Sequence, residues 1–347
     1  MAEAVAIPQS PGGHHHHLTL PERLLNYTAW AVAVGLFSTI GWMAMAPDDP
    51  LGAVSLTTRT QAGLMVIQVV GLAAVVSAVA TILVGRRIPD AGVFAVAIGL
   101  AAANWRGETG AYILINVAQG DPAAYRAVFA TFVAESFVWF FVVLVALLVS
   151  GLVTRLSVGP GDGPSPPGLG VTRNTLALSD LPIGPLAVDR DDRPSVVAGL
   201  KTAGLTVVTG LLLMALLSSA DPERAVRHGQ TYFTIALSFY AATLLAYEVA
   251  PARSAWWGLA AIPIAAAIGY GWTLVRAGSA AAHTPASVPP TPFARATPIE
   301  YISVGTAAVL MGFWLYRRTA HAKSLSAAAK PAAVPTPTPS SGARRKR

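Results

Sequence analysis

The chain reads as an all-α, polytopic membrane helix bundle of about eight transmembrane helices. Three observations predict this. Of its 347 residues 54% are hydrophobic and only 12% charged, with a mean hydropathy of +0.55. A soluble domain averages roughly 25% charged residues, so the chain carries about half the charge that a water-facing surface needs. The apolar residues gather into blocks of spanning length, about 20 residues each, and the basic residues crowd into alternate connections.

The expected spans are Leu24–Ala46, Ala62–Val84, Ala91–Ala118, Ala127–Val153, Val196–Leu217, Thr231–Ala250, Ala255–Val275 and Ile299–Tyr316. Ala44-Met45-Ala46 ends the first with a pattern like a cleavage site. Its apolar block is longer than a signal peptide's and its leader holds Glu3 and Glu22, so an uncleaved helix is expected. In the seventh, Pro263 is placed to kink the helix, and Trp256-Trp257 and Trp272 at its ends suit membrane interfaces. Tyr301 and Trp314 do the same in the eighth.

With the N-terminus inside, seventeen of the 24 Lys and Arg residues fall in inner segments, six in outer ones, and Arg106 lies within a span. That bias puts both termini in the cytoplasm of a bacterial inner membrane. The domain layout follows. Residues 1–23 form a disordered cytoplasmic lead, 24–153 a four-helix half, 154–195 a Pro/Gly-rich cytoplasmic linker, 196–316 a second four-helix half, and 317–347 a disordered basic tail. The tail, ending Arg344-Arg345-Lys346-Arg347, is expected on anionic inner-leaflet lipid rather than on nucleic acid. Asp49-Pro50 and Asp221-Pro222 both open an Asp-Pro-x-x-Ala-Val segment after spans one and five, as a 4+4 parallel duplication would place them; Asp-Pro is also an ordinary turn starter.

Polar groups inside the spans are the candidates for function, because such groups are expensive in hydrocarbon. The third span contains Asn104-Trp105-Arg106-Gly107-Glu108. Counting 1.5 Å per residue, Arg106 stands about 22 Å up that helix, and Glu135 of the fourth span about 13 Å below the outer face. These depths match within a turn, so Asn104, Arg106, Glu108 and Glu135 form the candidate intramembrane cluster, with Arg106 and Glu135 as an ion pair. Gly99, Ala103 and Gly107 on one helix and Ala127, Ala130 and Ala134 on the other offer small faces for close approach. The competing reading ends the third span near Trp105, makes Arg106–Gly110 an interfacial turn, and leaves Ala111–Ala118 as a short re-entrant or surface piece. Thr231, Thr234, Ser238 and Glu248 line one face of the sixth span and read as interhelical hydrogen bonding, with Glu248 beside Arg253.

No cysteine is present, which removes disulfides, Fe–S clusters and thiol catalysis. No zinc-type His pair, phosphate-cradling loop or nucleophile elbow occurs, so no catalytic, cofactor or metal residue is assigned. His14–His17 could hold a metal loosely or be a polar tract without a role. The leading reading is a non-catalytic membrane component or complex subunit, its partners being lipid and other membrane subunits. A transporter using the polar cluster is the alternative. A membrane enzyme using Arg106, Glu108, Glu135 and Asp121 on a lipid-linked or anionic substrate comes third.

Overall fold

The computed structural model describes residues 20–49, 52–84, 90–114, 116, 121–157, 193–218, 228–252, 254–280 and 291–328. Among them the protein is all-α. The helices are α1 (Leu20–Leu36), α2 (Trp42–Met45), α3 (Ala62–Val84), α4 (Ala91–Asn104), α5 (Gly110–Ile113), α6 (Pro122–Ser157), α7 (Arg193–Leu217), α8 (His228–Val249), α9 (Trp256–Ala280) and α10 (Pro298–Ala328). Among the described residues seven segments are long and apolar enough to cross a membrane; the first of these runs Leu24–Met45, joining α1 and α2 through a π-helical turn, Phe37–Gly41.

The third expected span departs from the other seven. Helix α4 has 14 residues, about 21 Å at 1.5 Å per residue, which is short for a hydrocarbon core of about 30 Å. It is buried nearly all round, from Ala91 to Asn104, and packs against α1, α3, α6 and α10. A helix walled by protein need not match the bilayer. The shortness also sets it apart from its counterpart in a 4+4 scheme, the 25-residue α9. The second Asp-Pro segment lies outside the described residues, and the duplication gains no support.

Helix α10 is the other central element. Its apolar window is 72% buried, against 28% for α7 and for the first span. Ile67, Val75 and Ile82 of α3 and Val208, Leu212 and Leu216 of α7 point outward, as lipid-facing side chains do. Helix α10 also runs past Tyr316 to Ala328, carrying the start of the basic tail region in helical form; the tail beyond it, the 1–19 lead and most of the linker lie outside the described residues.

Helices approach where glycine leaves room. A Cβ on Gly99 of α4 would sit 2.4 Å from the Phe37 ring, and one on Gly305 of α10 would sit 2.9 Å from Ile262 of α9. The small face of α4 therefore receives the first span. It was expected to receive the fourth, but Ala127, Ala130 and Ala134 of α6 are exposed. Helix α6 packs instead through Phe129, Phe132 and Trp139, whose bulk fills the core that alanines would leave open.

Candidate functional site

We call proximal the end where α1 starts and α10 finishes, and distal the opposite end. Helix α4 stops at the distal end, at the polar insertion. Its closing turn is tightened by Arg106 N–H donating to Ala103 O (3.2 Å) and Gly107 N–H to Asn104 O (3.0 Å). The chain then leaves the helix to meet the loop before α3: Glu108 N–H donates to Gly52 O at 3.1 Å. A Cβ on Gly107 would lie 3.3 Å from Val54, so glycine lets the two strands of chain touch. The chain therefore makes a turn after Asn104 in place of a continuous helix, and α5 follows it.

The four candidate residues do not form one cluster. Arg106 is exposed; its Nη1 donates to Ser38 O at 2.6 Å and its guanidinium lies 5.0 Å from the Trp42 ring centre. Ser38 belongs to the π-helical turn Phe37–Gly41. Glu108 is exposed. Glu135 is fully buried, accepting from the Ser55 hydroxyl at 2.7 Å and from Trp139 Nε1 at 2.9 Å. The expected Arg106–Glu135 pair does not form. Depth along two helices was matched, but Arg106 turns toward the first span and the loop containing Ser55 folds inward to take the carboxylate.

Asn104 is buried and joins a different group. Its Nδ2 donates to Tyr232 Oη at 3.1 Å, and that hydroxyl donates to Ala101 O at 2.8 Å. The rings of Trp105, His228 and Tyr232 surround one another at 5.2–5.9 Å. His228 then makes two contacts that sequence reading missed. Its Nδ1 meets Glu300 Oε1 at 2.7 Å, and its Nε2 meets Gly107 O at 2.8 Å. A carbonyl only accepts, so Nε2 carries hydrogen. The Nδ1–Oε1 contact then holds one proton between imidazole and carboxylate. The two side chains are 12% and 1% exposed.

Glu300 is placed by its own helix end. Thr297 N–H donates to Glu300 Oε2 at 2.7 Å, the reach-back half of a capping box at the start of α10. The segment ahead of it is pinned by two buried tyrosines, Tyr270 donating to Ala296 O (2.6 Å) and Tyr301 to Phe293 O (3.0 Å). The Thr297-x-x-Glu300 spacing before an apolar run was a readable signal for this carboxylate. Nothing local pointed to His228, whose partners are 72 and 121 residues away.

Tyr112 of α5 donates to Asp49, adding another tie between the post-α4 turn and the first loop. At the proximal end Glu248 pairs with Lys323 of α10 at 3.0 Å; its expected neighbour Arg253 lies outside the described residues. Among the described residues no group of three or more acidic or histidine side chains could hold a metal ion.

Taken together, the fold and these buried polar ties define a multi-pass α-helical membrane protein whose distal loops are locked onto its core. No family model matches the chain, and neither curated proteins nor solved structures include a match to it.

Proposed function

We propose that the protein is a non-catalytic component of a bacterial cytoplasmic membrane, a scaffold or subunit of a larger complex. The observation that carries this reading is that Glu135, Arg106, His228 and Glu300 each join separate distal segments of the chain to one another. Glu135 holds the first loop through Ser55, Arg106 holds the first span, and the His228–Glu300 pair holds the turn after α4. The concentration of Lys and Arg in alternate connections supports cytoplasmic termini, with the basic tail resting on anionic inner-leaflet lipid. Other membrane subunits are its expected partners.

One observation favours a second reading, a proton-conducting path. Asn104 Oδ1 and the hydroxyls of Ser238, Thr243 and Thr306 are buried without a hydrogen-bond partner on α4, α8 and α10. Buried polar atoms of this kind commonly meet internal water, and all but Asn104 lie on α8 and α10, the helices that carry the His228–Glu300 pair. Proteoliposomes loaded with a pH-sensitive dye separate the two readings. A scaffold passes protons no faster than protein-free vesicles under an imposed potential, and extraction in mild detergent recovers it with another membrane protein at fixed stoichiometry. Proton flux above the vesicle background, lost in Glu300→Gln, overturns the scaffold reading in favour of the path.

A further inference from the structure

The buried carboxyl of Glu135 is linked to the distal surface by two hydroxyl groups. Glu135 lies wholly buried in the distal half of α6, and its Oε2 accepts from the Ser55 hydroxyl at 2.7 Å. Ser55, 1% exposed, meets Thr57 Oγ1 at 2.9 Å, and Thr57 is partly exposed. A hydroxyl has one hydrogen to donate. Ser55 gives its own to the carboxylate, so the hydrogen between Ser55 and Thr57 comes from Thr57. The Thr57 N–H also donates to Ser55 Oγ, at 3.2 Å, which fills its remaining lone pair. Thr57, Ser55 and Glu135 therefore form a chain that runs donor to acceptor from the surface inward.

The far side of the carboxyl is closed. Its Oε1 accepts from Trp139 Nε1 at 2.9 Å, and the Leu56 N–H is the third donor beside it. An indole or amide N–H only donates, so neither can take a proton from Glu135 and hand it on. The titratable groups around it are committed elsewhere. Tyr270 of α9, within electrostatic reach of Glu135, donates to Ala296 O, and Tyr301 of α10 donates to Phe293 O. Glu300 of α10 is held by the Thr297 N–H and His228. Arg59, just past the Ser55–Thr58 turn, donates to Ala44 O and Ala46 O, and Arg126 of α6 is exposed. Helices α3 and α4 contain no ionisable side chain. Glu135 thus takes its hydrogen bonds from neutral groups.

A carboxylate held by neutral donors in an apolar interior is costly, and binding a proton removes that cost. We propose that Glu135 is a proton-binding site served from the distal face through Thr57 and Ser55. A proton arriving on the Thr57 oxygen sends that hydroxyl's own hydrogen to Ser55, and the Ser55 hydrogen moves onto Glu135 Oε2. One O–H bond forms on the carboxyl, both hydroxyls are regenerated, and the chain of hydrogen bonds reverses direction. Glu135 then donates to Ser55, so the first loop stays attached in both states. The site goes beyond both roles proposed above. With a single entrance, it holds one proton per chain and passes none across the bundle.

The test uses the full chain in lipid nanodiscs and infrared difference spectra between acid and alkaline buffer. The expected result is a carboxylic acid C=O band that vanishes on alkalisation, shifts in heavy water and is missing from Glu135→Gln. Bands of Asp90 or Glu300 persist in that variant and so are told apart. The route is read from the rate at which the band shifts after mixing with heavy water. Ser55→Ala should slow that exchange about a hundredfold, the low end of what one positioned proton-transfer group contributes. Thr57→Val should slow it less, and Thr57→Ser should restore the wild-type rate. Spectra of wild type and Glu135→Gln that agree in the acid region at every pH overturn the proposal, because the carboxyl then never takes a proton. Exchange as fast as wild type in both Ser55→Ala and Thr57→Val overturns it too. Should Glu135→Gln not fold, these two hydroxyl variants decide, since they keep the carboxyl: an acid band slowed in both supports the site, and one slowed in neither overturns it.

Discussion

The two ends of the bundle use the same chemical groups to different effect. At the distal end three segments remote in sequence, around residues 52–58, 105–113 and 291–300, are tied to one another and to the core by buried carboxylates, an imidazole and backbone. Among the described residues the proximal end mixes hydrogen bonds, such as Tyr247 to Ser254 O at 2.7 Å, with an exposed ion pair. Asp90, buried just ahead of α4, accepts from Trp314 Nε1 at 3.3 Å, while the Glu248–Lys323 pair leaves its side chains 48% and 67% exposed. A buried hydrogen bond is costly to break because no water replaces it, whereas an exposed pair exchanges with water and salt at little cost. The distal cap should therefore hold its loops more firmly than the exposed Glu248–Lys323 pair holds the proximal helix ends.

The largest break in that contrast is Glu300→Ala. It strands the His228 ring and the Thr297 N–H, and removing one partner of a buried pair costs about 3–5 kcal/mol. Thermal unfolding in detergent should show the loss, and Glu300→Gln should retain part of the stability; a wild-type melting curve for the alanine variant would show that the cap is not held this way.

Glu135→Ala comes next. Leaving the Trp139 N–H unsatisfied costs about 1–3 kcal/mol, and the Ser55 hydroxyl keeps only its Thr57 partner. Hydrogen exchange should rise in the loop around Ser55, while amides near Glu248 stay as protected as before.

Asp90→Asn sharpens the comparison from the other side. Burial pushes the Asp90 carboxyl above the usual aspartate range, against the opposing effects of the Trp314 hydrogen bond and the Arg317 charge. A carboxyl raised in the folded state binds its proton more tightly there than in the unfolded chain, so it costs stability as pH rises from the unfolded value through the folded one. The variant should melt above wild type at pH 8 and match it near pH 4; a gain independent of pH would point to packing instead of charge.

Smallest of all is Glu248→Gln, expected to change stability by less than about 1 kcal/mol. Added salt should erase even that difference, and a salt-resistant loss would mean the proximal pair is more buried in the membrane than in the isolated bundle.

The eight apolar blocks and the polar break in the third were legible because hydrocarbon leaves a chain few options. Its backbone must satisfy itself within helices, so a long apolar run declares a span, and Gly107 amid charged residues declares where one ends. Even the α10 carboxylate was marked by the Thr297–Glu300 spacing. The partners of Arg106, Glu135 and His228 were not legible. Matching depths brought Arg106 and Glu135 level on adjacent spans, but level is not facing, and depth carries no rotation.

What the sequence by itself determined was the class of molecule: an all-α membrane bundle, with its charge held to connections and one broken helix. Only the tertiary structure decided that the broken helix is a short central one, that its small face receives Phe37, and that the charges serve the loops. The reason is physical. Span formation depends on the polarity of about twenty consecutive residues, which the chain carries locally. Four hydrogen bonds of the distal cap instead join residues 68 to 121 positions apart, and helix rotation and loop path choose those partners only when the whole bundle closes.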